Sequence, residues 1–279
     1  MKRCEPFFIS DGVAIGWGTR AAALLGLIYE RCQREAERDG YARRNYWVRV
    51  SQSEIARCLG LCRQTVAKIT RTLEGAGLIL VKTTGRGSGC GRDRTRLYTL
   101  GLRGFTLSGE ESKQWRPKGK GFRVFHGVSE AISSRVGVNA AVVFQYLWHA
   151  IHDGMRGSRA VSDGRVWLSH TASSLSRWLP FMSRDVVAAS LKALVAAGLL
   201  LTRRDRGLIK WAVSDEGFAA MGEDPAVSVE LALRKGASPQ EEPHLLSQMR
   251  VFALVQTRHC RLEKRRVFAL VRTRHNLRR

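Results

Sequence analysis

Residues 21–32 are apolar at helical spacing, which predicts a helix with one face turned inward. A strand-like segment around Trp47 follows, over 46–51. Ser51 or Ser53 then suits the N-cap of a short helix through Arg57, with Glu54 in its first turn, where an acid favours the helix dipole. Gly60 breaks that helix. A second runs over 63–76, and Gly77 stops it. Strands over 78–83 and 94–100 flank a long glycine-rich turn at 85–92. The same order of features returns later in the chain. Residues 140–148 repeat the apolar helix, 165–169 the tryptophan segment, and 172–187 a helix, a turn and a helix start capped by Ser183. Gly198 is the matching stop, and strands over 199–203 and 208–213 flank a short turn at 204–207. Two patterns in one order, displaced by about 120 positions, indicate a duplicated unit.

The expected fold class is mainly α with small β-hairpin wings: two tandem winged-helix domains and a flexible basic tail. Domain one is placed at 7–103, a linker rich in Gly, Lys and polar residues at 104–121, and domain two at 122–218. From 219 onward the chain turns polar and partly acidic, so 219–279 is expected to be largely disordered. Within it a shorter repeat stands out, 250–259 returning as 266–275. From His244 onward there are ten Lys or Arg and one acid, Glu263. A basic DNA-binding arm is the favoured reading of this segment; an accidental duplication of coding sequence and a membrane-surface segment are the others.

The second helix of a helix-turn-helix enters the major groove of DNA, and rotation by about 100° per residue assigns its faces. Val66, Ile69 and Leu73 share one face and should pack inward. Gln64, Lys68 and Arg71 lie nearly opposite, with Arg63 and Thr65 at the helix start. Arg and Lys suit guanine or phosphate, and Gln suits adenine. In the second unit Val187, Leu191 and Leu194 face inward, and the outward set is Asp185, Ala189 and Lys192, with Arg184 at the start. That face is smaller and less basic, so lighter DNA contact or association between chains is expected there. The first wing carries Lys82, Arg86, Arg92, Arg94, Arg96 and Arg103 against one Asp93. Its glycines permit close approach to phosphate or to the minor groove. Arg204 and Arg206 are the corresponding cations of the second hairpin.

Charge strengthens the nucleic-acid reading. The 279 residues contain 47 Lys and Arg against 24 Asp and Glu, a net charge of +23. An excess of this size attracts a polyanion. No run of about 18 apolar residues and no secretion signal is present, so a cytoplasmic protein, nucleoid-associated when bound to DNA, is expected. The six cysteines are scattered, which suits a reducing compartment. Cys58 and Cys62 lack the second Cys or His pair that zinc needs. His149 and His152 share a helix without the glutamate of a zinc protease, and no nucleophile turn or phosphate-cradling loop is found. No enzyme activity, metal or cofactor is therefore expected. The tryptophans lie among aliphatics, which favours core packing over stacking platforms for single strands.

The stretch from Trp167 through 179–187 to 194–200 resembles the winged-helix domains of bacterial phage and plasmid replication proteins. The 51–79 stretch is similar to the same family and to winged-helix transcription regulators. The resemblance covers both units and not the tail. It implies binding to duplex DNA, often at repeated or palindromic sites. Cys62 departs from it, standing where a capping Ser or Thr is usual. The expected function is sequence-specific binding of double-stranded DNA, with transcriptional control as the leading role and replication initiation at origin repeats as the alternative. A homodimer is one assembly that fits. A protein-interaction module, an RNA-binding protein and a nuclease are the weaker readings, since the basic excess opposes the first and dispersed acids oppose the last.

Overall fold

The computed structural model describes residues 7–40, 46–83, 96–101, 104, 125–152, 159–205, 207–234 and 238–239. The first unit consists of β1 (Phe7–Ser10), α1 (Asp11–Trp17), α2 (Thr19–Asp39), β2 (Val48–Val50), α3 (Gln52–Leu59), α4 (Arg63–Gly75), β3 (Ile79–Thr83) and β4 (Arg96–Leu100). The second consists of β5 (Phe125–Val128), α5 (Glu130–Val136), α6 (Val138–His152), β6 (Arg159–Ser162), β7 (Arg165–Leu168), α7 (Ala172–Trp178), α8 (Arg184–Ala196), β8 (Leu200–Asp205) and β9 (Leu208–Val213). It continues with α9 (Asp215–Met221), α10 (Pro225–Arg234) and β10 (Ser238–Pro239). The linker at 105–121, the turn at 85–92 and the basic tail lie outside the described residues.

Local chemistry explains the boundaries. Ser51 Oγ accepts the Glu54 N–H at 3.1 Å and starts α3, and Gly60, at φ 60°, ends it in the left-handed region. Ser183 Oγ accepts the Val186 N–H at 3.3 Å at the start of α8. Helices α4 and α8 end alike, each on an alanine followed by a left-handed glycine, Gly77 or Gly198. After each comes an antiparallel hairpin, β3–β4 and β8–β9. The first sheet has the order β2-β4-β3, the second β10-β6-β7-β9-β8.

One hydrophobic cluster runs through both units. Its centre is made by α2, which buries residues from Ala21 to Ala36, and by α6, which buries Val142, Val143, Phe144, Leu147 and Ile151 among others. Helix α6 is apolar on nearly every face because α2, α8, α10, β5 and β7 all pack on it.

The duplication extends further toward the N-terminus than periodicity indicates. An offset of 119 positions carries Asp11–Trp17 onto Glu130–Val136 and the start of α2 onto that of α6. The hinges match too: Gly18 lies at φ 87°, ψ 157° and Gly137 at φ 82°, ψ 159°. Strands β1 and β5 pair antiparallel, with Phe8 opposite Gly127. The same offset makes those two residues equivalents, so the two strands pair symmetrically about them. These four short elements were not legible as structure: four residues are too few to display alternation, and neither short helix has a side-chain cap.

Disorder after Phe218 does not hold for the first part of that region. Ser214 Oγ accepts the Gly217 N–H at 3.0 Å and starts α9, and Phe218, Val229 and Ala232 are buried. Helix α10 covers α6, β6 and β7, and β10 pairs in parallel with β6. The acids that made this stretch read as unordered, Glu223 and Asp224, sit exposed between the two helices, while Val229 and Ala232 face the core.

Candidate nucleic-acid interface

Helix α4 begins one turn after α3, and three of its residues, Val66, Thr70 and Leu73, are fully buried against the first unit. Burial on that side leaves Arg63, Gln64, Lys68 and Arg71 exposed on the other. Ile69 is half-buried against the core. No acid stands among the four exposed side chains; Glu74 follows them in the last turn. Arg71 Nε bends back to the Ala67 carbonyl at 3.4 Å, which steadies the root of its guanidinium.

Thr65 sits differently from its neighbours. It is half-buried, and its hydroxyl lies 3.0 Å from Cys62 Sγ. Cys62 occupies the N-cap of α4 without a side-chain capping bond to the backbone, and the Thr65 hydroxyl beside it holds its thiol below the ordinary value. Thr65 thus closes the start of the helix. Its neighbour Cys58, one turn back, has the opposite environment: burial, then the Glu130 carboxylate it donates to at 2.8 Å, push that thiol up to about 12.

An offset of 121 carries α4 onto α8, and the outward face of α8 is Arg184, Asp185, Ala189 and Lys192, all exposed. Asp185 stands where α4 has Gln64, and Ala189 where α4 has Lys68. The two faces share a position and differ in chemistry.

Of the wing cations, Arg96 lies at the base of β4, half-buried and paired in register with Thr83 and Val50. Lys82 on β3 places its ammonium 4.4 Å from the centre of the Trp47 ring, a cation–π contact that ties the wing to the strand before α3. Arg86, Arg92 and Arg94 fall outside the described residues, as does Arg206. Arg204 is exposed on β8, in register with Ile209, and Leu208 and Ile209 beside it are 55% and 42% exposed. Arg203, which pattern reading passed over, is held instead, 4.1 Å over the Trp167 ring and 3.0 Å from Asp163. Only its spacing from Trp167 across the sheet, which a linear pattern does not reveal, distinguishes it from Arg204.

Among the described residues no group of three or more His, Cys, Asp or Glu could hold a metal ion, and no helix is long and apolar enough to cross a membrane.

Residues 20–100 match the model of the Crp-like helix-turn-helix domain. The matched stretch runs from the second residue of α2 through the helix pair α3–α4 and both strands of the first hairpin, so it supports DNA binding by the first unit. No curated protein matches the chain.

Proposed function

We propose that this chain is a sequence-specific binder of double-stranded DNA, built from two tandem winged-helix domains and acting in transcriptional control. The observation that carries this reading is the outward face of α4, with Arg63, Gln64, Lys68 and Arg71 exposed and uninterrupted by acid, inside the segment similar to the Crp-like domain. A helix of this width fits the major groove, where Arg and Lys read guanine and Gln reads adenine. Arg184 and Lys192 on α8, with Arg204 on its hairpin, supply a second and weaker contact. Arg86, Arg92, Arg94, Arg96 and Arg206 are assigned to phosphate, whose charge is present at every sequence. The internal duplication favours a second reading, replication initiation at repeated origin sites, since two like units suit a repeated or palindromic target.

Cationic contacts release condensed counterions, so binding to duplex DNA should weaken steeply with salt. The expected log–log slope is about −0.9 for each phosphate neutralised, several units in all. Titrations of one labelled duplex at four salt concentrations measure it, and a slope near zero would remove the DNA reading.

A further inference from the structure

Beyond the β1–β5 pair, the two units are joined unequally. Helix α3 of the first unit packs along α5 of the second, and no contact of comparable extent joins their counterparts α7 and α1. The one-sided junction is closely fitted. Ser133 Oγ donates to the Cys58 carbonyl at 2.5 Å, Cys58 Sγ donates to Glu130 at 2.8 Å, and Arg57 reaches the same carboxylate at 3.6 Å. Gly60 lies so near that a β-carbon there would stand 2.3 Å from the Ser133 carbonyl oxygen and 2.7 Å from the Gly137 Cα. Both neighbours are backbone, so neither can swing away. Gly60 is also the turn of the first helix pair, two residues before the cap of α4.

The same helix also holds the second unit's α8. Arg135 donates to the Ala197 carbonyl, the C-cap of α8, at 3.3 Å, and pairs with Glu216 at 2.6 Å. A seven-residue helix thus meets the turn before α4 through Ser133 and its C-cap Gly137, and the end of α8 through Arg135.

We infer that α5 is a spacer which fixes the distance and rotation between α4 and α8, so that a single chain reads a two-part DNA site of one defined spacing. The inference rests on the DNA-binding reading above and adds to it. A loosely tethered pair would accept half-sites at many separations. A pair held through α5 accepts one, because each inserted base pair rotates the second half-site about the duplex axis by roughly a tenth of a turn. The seat of Gly60 against α5, rather than any base contact, would set the preferred separation.

The test uses the full chain. Its best site is selected from random duplex DNA and footprinted, and binding is then measured to versions with one, two and five base pairs inserted between the two protected segments. The wild-type chain should lose about tenfold or more in affinity with two inserted pairs, the cost of roughly one lost base contact. Ser133→Ala should flatten that profile to about threefold while leaving binding of each isolated segment within about twofold, and a folded Gly60→Ala chain should flatten it as well. Ser133→Ala adds no bulk, so it keeps the test valid if Gly60→Ala fails to fold. Protection of a single segment, a wild-type profile indifferent to spacing, or an unchanged profile in a folded Ser133→Ala chain would each overturn the spacer. Failure of the wild-type chain to select or bind any duplex would instead overturn the DNA-binding reading itself.

Discussion

Replacing Lys68 and Arg71 together by alanine should weaken binding to a selected DNA site by about 2–4 kcal/mol, roughly thirty- to a thousand-fold. Both side chains lie on the exposed face of α4, behind which Val66, Thr70 and Leu73 are fully buried. The change removes charge and reach without touching the core. Lys192→Ala on α8 should cost clearly less, because its neighbours there are Ala189, which has no reach, and Asp185, which repels phosphate. Fluorescence titrations of the three chains against one selected duplex decide the order. A larger loss from Lys192→Ala would make the second unit the main reader and reverse the division of labour.

The second large effect is on stability. Gly26→Ala should lower the melting temperature, although alanine is the better helix former by about 1 kcal/mol. Gly26 lies within α2 where β1 crosses it, and a β-carbon there would meet the Phe8 carbonyl oxygen at 1.9 Å. That oxygen belongs to a strand held by its pairing with β5, so relief requires moving the strand that joins the units. Overpacking of this kind costs about 1–3 kcal/mol or somewhat more, which outweighs the propensity gain. A net loss of about 2 kcal/mol corresponds to a fall of about 4–8 °C. Gly16→Ala is the control: it too is helical, nothing lies within 4 Å of its added carbon, and it should raise stability. Calorimetry on the three chains reads the sign directly. A rise for Gly26→Ala would mean that β1 does not press on α2.

The helix pairs were legible because each carries several independent signals in order. Ser51 and Ser183 cap, Gly77 and Gly198 stop, and the Val66 and Val187 faces keep helical spacing between them. The outward set Arg63, Gln64, Lys68 and Arg71 followed from rotation alone, because a two-sided helix hides one face and shows the other. What escaped was everything that depends on contact between distant segments. Strands β1 and β5 are four residues each and define themselves only by pairing with one another across 118 positions of chain between Phe7 and Phe125. Gly60 reads locally as a helix stop, which it is; its seat against Ser133 and Gly137 has no trace in the residues around it. Helix α10 is itself mostly apolar and was obscured by its flanks, the acids Glu223 and Asp224 before it and the Pro- and Glu-containing stretch at 238–243 after it.

If α4 reads base sequence in duplex DNA, the change Arg71→Ala must reduce specificity. The most direct measurement is selection of bound sequences from random duplex DNA by the full chain and by Arg71→Ala. It is followed by titration of each chain against the selected site and a scrambled one at the same salt. A defined sequence is expected for the wild-type chain, and for Arg71→Ala a ratio of selected to scrambled affinity lower by about 1–3 kcal/mol. Recovery of no common sequence by the wild-type chain, or a ratio that Arg71→Ala leaves unchanged, would contradict base reading by α4.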